Sequence, residues 1–242
     1  SEEERKIVAY HEAGHALAYE LIPEIDSLHK VSILPQGSGL GVTIALPEER
    51  YLQSKTYCLG IMAAALGGRI AEKIIFNELT SGAQSDIEQV SRISRHMVCD
   101  WGMSEKIGAA ALGEKEQEVF LGRDFGNRAI YSETTAYIID QEIHRFVEEA
   151  EERIEKLLRD NHDRLEAIAQ ALLERDMLTR DEVADIIYTD EERNEMKATE
   201  EAVEEESSVE TTVEAVEEES SVETTVEAVE EESSVETTEQ RK

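Results

Sequence analysis

Residues 1–22 read SEEERKIVAYHEAGHALAYELI, and Pro23 follows. This stretch predicts a helix with both ends marked. Ser1 and Glu4 match the S-x-x-E capping box, in which side-chain and backbone groups at a helix start satisfy one another. Pro23 has no N–H to offer and stops the run. The pattern between them predicts an amphipathic helix. Inside it, His11-Glu12-Ala13-Gly14-His15 is H-E-x-x-H. Side chains at i and i+4 share one helix face, so both imidazoles can reach one metal ion. Glu12, one residue along, can address a water on that ion. Zinc lowers the pKa of such a water toward neutrality, which makes Glu12 the candidate general base for peptide-bond hydrolysis and the donor of that proton to the leaving amine. Gly14 costs about 1 kcal/mol relative to Ala in a helix interior. That cost implies that something packs close to the backbone at this point.

A catalytic zinc needs a third protein ligand and an open position. The longer motif H-E-x-x-H-x-x-G-x-x-H is excluded, because Ala18 and Leu21 stand where it needs Gly and His. His29, His96, His144 and His162 have no helpful spacing. Two acids are candidates. Glu72 lies in GGRIAE (67–72) on an expected helix. Asp86 lies in TSGAQSD (80–86), after a Gly-containing turn at a helix start, where a carboxylate is naturally placed. Spacing alone leaves both open.

Outward from the first helix, Lys30–Leu34 (KVSIL) and Leu40–Leu46 (LGVTIAL) read as two strands joined through 35–39. Two strands are marginal by themselves and must pack on helices. The second could offer a free edge at Gly41, Val42 and Thr43, on which an extended peptide pairs by its main chain. A helix rich in small residues is expected over 53–76, where Gly67-Gly68 would let another helix come close. Further helices are expected over 84–100, 132–160, 161–175 and 180–188, with an irregular stretch over 107–126.

Hydrophobic residues are 40% of the 242 but aromatics only 5%, which points to a core of aliphatic residues and alanine on helices. The fold class expected is mainly α, with a small β-hairpin or sheet. Domain boundaries fall at 1–188 for the folded part and 189–242 for an acidic low-complexity tail. EAVEEESSVETTV at 201–213 repeats at 214–226, and again at 227–238 without its last Val. Such a composition cannot bury a core, so disorder is expected there. The net charge is −32, and residues 189–242 hold 21 acidic against 4 basic residues. Both parts of the chain would repel nucleic acid and anionic membrane surfaces. No apolar run approaches the roughly 18 residues of a membrane span, so direct membrane insertion by this stretch is not expected. Cys58 and Cys99 build no disulfide framework and are expected to be buried and reduced.

The segments VAYHEAGHAL (8–17), LGVTIALPEE (40–49), GGRIAE (67–72), TSGAQSDIEQV (80–90), WGMSEKIG (101–108), FLGRDFG (120–126) and YSETTAYIIDQEI (131–143) together resemble the peptidase domain of the FtsH family. These are membrane-bound ATP-dependent zinc metalloproteases of peptidase family M41, and the resemblance spans residues 3–188. It implies Asp86 as the third zinc ligand beside His11 and His15, with one Zn²⁺ per chain. Glu72 then becomes a residue that orients a ligating histidine. The resemblance also implies a homo-hexamer and an AAA ATPase module in the same parent chain. That module would feed unfolded or misassembled polypeptides to the peptidase sites. The parent is expected to be membrane-anchored, with the peptidase on the cytoplasmic side or in the equivalent organelle compartment. No G-x-x-x-x-G-K-[ST] loop occurs here, so ATP would act only through that module, and the chain reads as a C-terminal piece. The acidic repeats are no part of the family pattern.

Overall fold

The computed structural model describes residues 1–35, 40–47, 50–112, 131–189 and 191–193. Helix α1 spans Glu2–Leu21, β1 Leu28–Ser32, β2 Val42–Ala45, α2 Lys55–Ala65 and α3 Gly67–Phe76. After a 3-10 turn at Ser81–Ala83 come α4 (Gln84–Cys99), α5 (Glu133–Asp160), α6 (His162–Arg175), β3 (Met177–Thr179) and α7 (Arg180–Ile187). Ser1–Ile187 form one compact unit. A second starts at Tyr188, and only residues 188–189 and 191–193 of it are described. The tail 194–242 and the segment FLGRDFG lie outside the described residues.

The capping box is present: Ser1 Oγ accepts from the Glu4 N–H, and Glu4 binds back to the Ser1 amine at 2.7 Å. The amphipathic expectation for α1 is corrected. Every residue from Ala9 to Ala18 is buried, because α3, α6, α2 and the sheet all pack against this part of the helix. A run of Ala and Gly suits that position, since small side chains let several neighbours approach at once. Gly14 and Gly67 are the point of closest approach. A Cβ on Gly14 would strike the Gly67 carbonyl, and a Cβ on Gly67 would lie 2.7 Å from the Gly14 carbonyl oxygen.

The helix expected over 53–76 is two helices. Leu66, at φ −81° and ψ −7°, breaks it and caps both parts. Gly67-Gly68 supply little helical preference across that junction, and α3 is set against α1 instead. The sheet holds three strands in the order β2-β1-β3, all antiparallel. The first strand begins two residues earlier than expected and β3 was not anticipated at all. Register runs Lys30 to Ile44 on one side of β1 and Lys30 to Thr179 on the other. With β1 in the middle, β2 is an edge strand among the described residues.

Helices α4 and α5 close the domain around Met97, Ile139, Phe146 and Ile154, all buried. After α4, the chain turns through Gly102 at φ +62°. Ser104 then donates to the buried Glu142 at 2.7 Å. Arg145 and Lys106 also reach that carboxylate, at 2.8 and 3.1 Å. Cys58 and Cys99 are both free and buried. Among the described residues, no helix is long and apolar enough to cross a membrane.

Candidate metal centre

His11 and His15 lie one turn apart on the buried middle of α1 and point the same way. Their Nε2 atoms are 3.1 Å apart. Asp86, in the first turn of α4, brings Oδ2 to 3.4 Å from His11 Nε2 and 3.6 Å from His15 Nε2. Thr80 makes that approach possible by accepting the Gly82 N–H and starting the short turn that leads into α4.

Each imidazole is fixed from behind. His11 Nδ1 donates to Glu72 Oε1 at 2.6 Å, and His15 Nδ1 donates to the Ala64 carbonyl at 2.8 Å. A carbonyl can only accept, so the His15 proton must sit on Nδ1. The same holds for His11 against an ionised Glu72. When both rings are neutral, both Nε2 atoms carry lone pairs, facing each other and a carboxylate oxygen. Three acceptors at such range repel unless a proton or a metal ion lies between them. A tetrahedral zinc with bonds of about 2.0–2.1 Å holds its ligand atoms about 3.3 Å apart, which matches the three observed separations. The donor set therefore fits the ion.

The electrostatics agree. Burial opposes a charged His11, but Asp86 and then Glu72 outweigh it and push its pKa up to about 9. Against the opposing effect of burial, His11 and His15 hold Asp86 well below the usual carboxylate range. Glu72 is also lowered, burial again resisting and His11 and Thr80 prevailing. Thr80 donates to it twice, from N at 2.9 Å and from Oγ1 at 3.2 Å. Positive charge is thus favoured between the carboxylates, and Glu72 is tied down on both oxygens. Gly68 leaves room for the His11 ring, since a Cβ there would lie 2.5 Å from Nε2.

Glu12 is 6% exposed and lines the same cleft of about 720 Å³ as His11, His15 and Asp86. Leu40, Gly41, Val42 and Thr43 form one wall of it. All eight residues singled out from the sequence lie in this region: His11, His15, Asp86, Glu12, Glu72 and residues 41–43. Two participants were missed. Thr80 sat inside a quoted motif without an assigned role, and the Ala64 carbonyl carries no side-chain signal.

Residues 1–186 match the family model for peptidase family M41, and the chain belongs to that family. Among curated relatives, the protein named ATP-dependent zinc metalloprotease FtsH of Nitrosococcus oceani is 52% identical over 186 residues, covering 76% of this chain and 29% of the relative. The one of that name in Bacillus subtilis is 43% identical over 206 residues, 81% of this chain and 32% of the relative. ATP-dependent zinc metalloprotease FtsH 1 of a Thermoanaerobacter species is 46% identical, with 75% and 30% covered. The chain thus spans less than a third of the length of these relatives.

Proposed function

We propose that this chain is a zinc endopeptidase domain, with His11 Nε2, His15 Nε2 and Asp86 Oδ2 as the protein ligands of one zinc ion. The observation that carries the reading is the convergence of these atoms at 3.1–3.6 Å while both Nδ1 atoms are engaged elsewhere. A zinc ion held by these three residues would supply Lewis acidity, lowering the pKa of a bound water and drawing charge from a carbonyl oxygen. Glu12 takes the proton from the attacking water on its carboxylate and delivers it to the amine nitrogen as the C–N bond breaks. Glu72 keeps the His11 proton on Nδ1 and leaves Nε2 free for the metal.

An extended polypeptide pairs with the outer edge of β2, unpaired among the described residues, at Gly41, Val42 and Thr43, beside Glu12. Main-chain pairing suits substrates of many sequences. In the whole protein this domain works as the proteolytic part of a membrane-anchored hexamer whose AAA module uses ATP to deliver unfolded or misassembled proteins. The relatives' names support the ATP dependence, and their greater length leaves room for such a module. Residues 189–242 differ in composition from the rest, with 21 acidic and 4 basic residues.

Cleavage of an unfolded, labelled polypeptide by the zinc-loaded protein, beside Glu12→Gln, tests the reading. Cleavage by the wild type and loss of at least 100-fold in the variant, with zinc retained in both, is expected. Undiminished cleavage by Glu12→Gln excludes Glu12 as the base.

A further inference from the structure

Alternation along β2 turns residues 41 and 43 to one side and Val42 to the other. The side shared by 41 and 43 is occupied by the Glu12 carboxylate. Thr43 Oγ1 donates to Glu12 Oε2 at 2.7 Å. At Gly41 a Cβ would stand 2.6 Å from Glu12 Oε1 and 2.8 Å from its Cγ, so the side chain lies directly on the backbone there. Among the described residues, Thr43 provides the one side-chain donor to this carboxylate. Glutamate has three rotatable bonds, and fixing them has an entropic cost. The hydroxyl and the glycine gap together select one placement out of that set.

We propose that Thr43 is a positioning residue for Glu12: its hydroxyl holds the carboxylate in the orientation from which it acts on the attacking water. This rests on Glu12 being the general base. It assigns β2 two separate jobs. The outer main-chain edge aligns the peptide, and the Thr43 side chain aligns the base from the same strand. The peptide bond and the group that attacks it are thereby set from one rigid element. The Thr43 hydroxyl is engaged with Glu12, which separates this role from main-chain peptide binding at residues 41–43.

The test compares Thr43→Val, which keeps the shape and removes the donor, with Thr43→Ser, which keeps the donor. Misplacing a catalytic group by about 1 Å can cost on the order of 100-fold. In the zinc-loaded protein, Thr43→Val is expected to lower kcat by about 10- to 100-fold, with KM within twofold of wild type and one zinc per chain. Thr43→Ser is expected to recover most of kcat. A raised KM with kcat intact, or a Ser variant no better than Val, overturns the proposal. Diffraction from zinc-loaded Thr43→Val crystals decides the point without any activity. Glu12 is expected to leave its seat or spread over rotamers, and a Glu12 side chain unmoved from its wild-type place overturns the proposal. Absence of cleavage by the wild type itself would count against the zinc endopeptidase reading, while the position of Glu12 in those crystals still decides the role of Thr43.

Discussion

Gly14→Ala sets two effects of opposite sign against each other. Helix propensity alone says that the change stabilises α1 by about 1 kcal/mol. The packing says otherwise. The new Cβ would meet the Gly67 carbonyl, and it would lie 2.8 Å from the Ala71 Cβ. Carbon atoms in good contact sit about 3.5–4.0 Å apart, so the overlap is about an ångström. Both obstacles belong to the backbone or first carbon of α3, and no rotamer change relieves them. The two helices must separate along a fully buried seam. Overpacking of this kind costs about 1–3 kcal/mol, and an overlap with backbone belongs at the upper end. Set against the propensity gain, the net loss is about 2 kcal/mol. For a domain of this size that lowers Tm by about 4–8 °C, read by thermal unfolding of the metal-free protein. The same separation draws Glu72 on α3 away from His11 on α1, so zinc affinity falls as well. A Tm equal to or above that of wild type refutes the reasoning.

Glu72→Gln should weaken zinc binding by about 10- to 100-fold. An amide cannot accept from both His11 and the Thr80 N–H as the carboxylate does. Chelator competition measures the change, and a loss under threefold argues against the positioning role. At Glu142, Arg145 above all lowers the pKa to about 2, against burial and with help from Ser104 and Lys106. A depressed carboxylate contributes stability above its unfolded value near 4.5, and loses it as pH falls toward 2. Glu142→Gln should therefore cost about 2 kcal/mol at neutral pH. The difference in Tm from wild type should close between pH 4.5 and 2, and a constant gap across that range contradicts the assignment.

The helix that decides the fold could be read in outline because its signals are local. A capping box, an i, i+4 histidine pair and a terminal proline lie within one continuous segment. Gly14 even carried tertiary information, since its cost in a helix required a close neighbour, and Gly67 is that neighbour. The continuous burial of Ala9–Ala18 was not visible, because periodicity does not report how many elements surround a helix. Nor was the break at Leu66, which lies in an unbroken run of small apolar residues. Strand β3 is three residues long, too short for alternation to register, and it exists through pairing with β1. At the site, residue types and spacing named both Glu72 and Asp86 without separating their places. What separates them is tertiary: Glu72 meets Nδ1 of His11, and Asp86 meets Nε2 of both histidines. The Ala64 carbonyl behind His15 could not be foreseen, since any residue supplies such a group.

Diffraction from zinc-loaded crystals at wavelengths on either side of the zinc absorption edge tests the metal assignment most directly. One anomalous peak per chain is expected, within about 2.0–2.2 Å of His11 Nε2, His15 Nε2 and one Asp86 oxygen, with Glu72 still on His11 Nδ1. A peak bound by Glu72 with Asp86 turned away, or no peak between the two histidines, would contradict it.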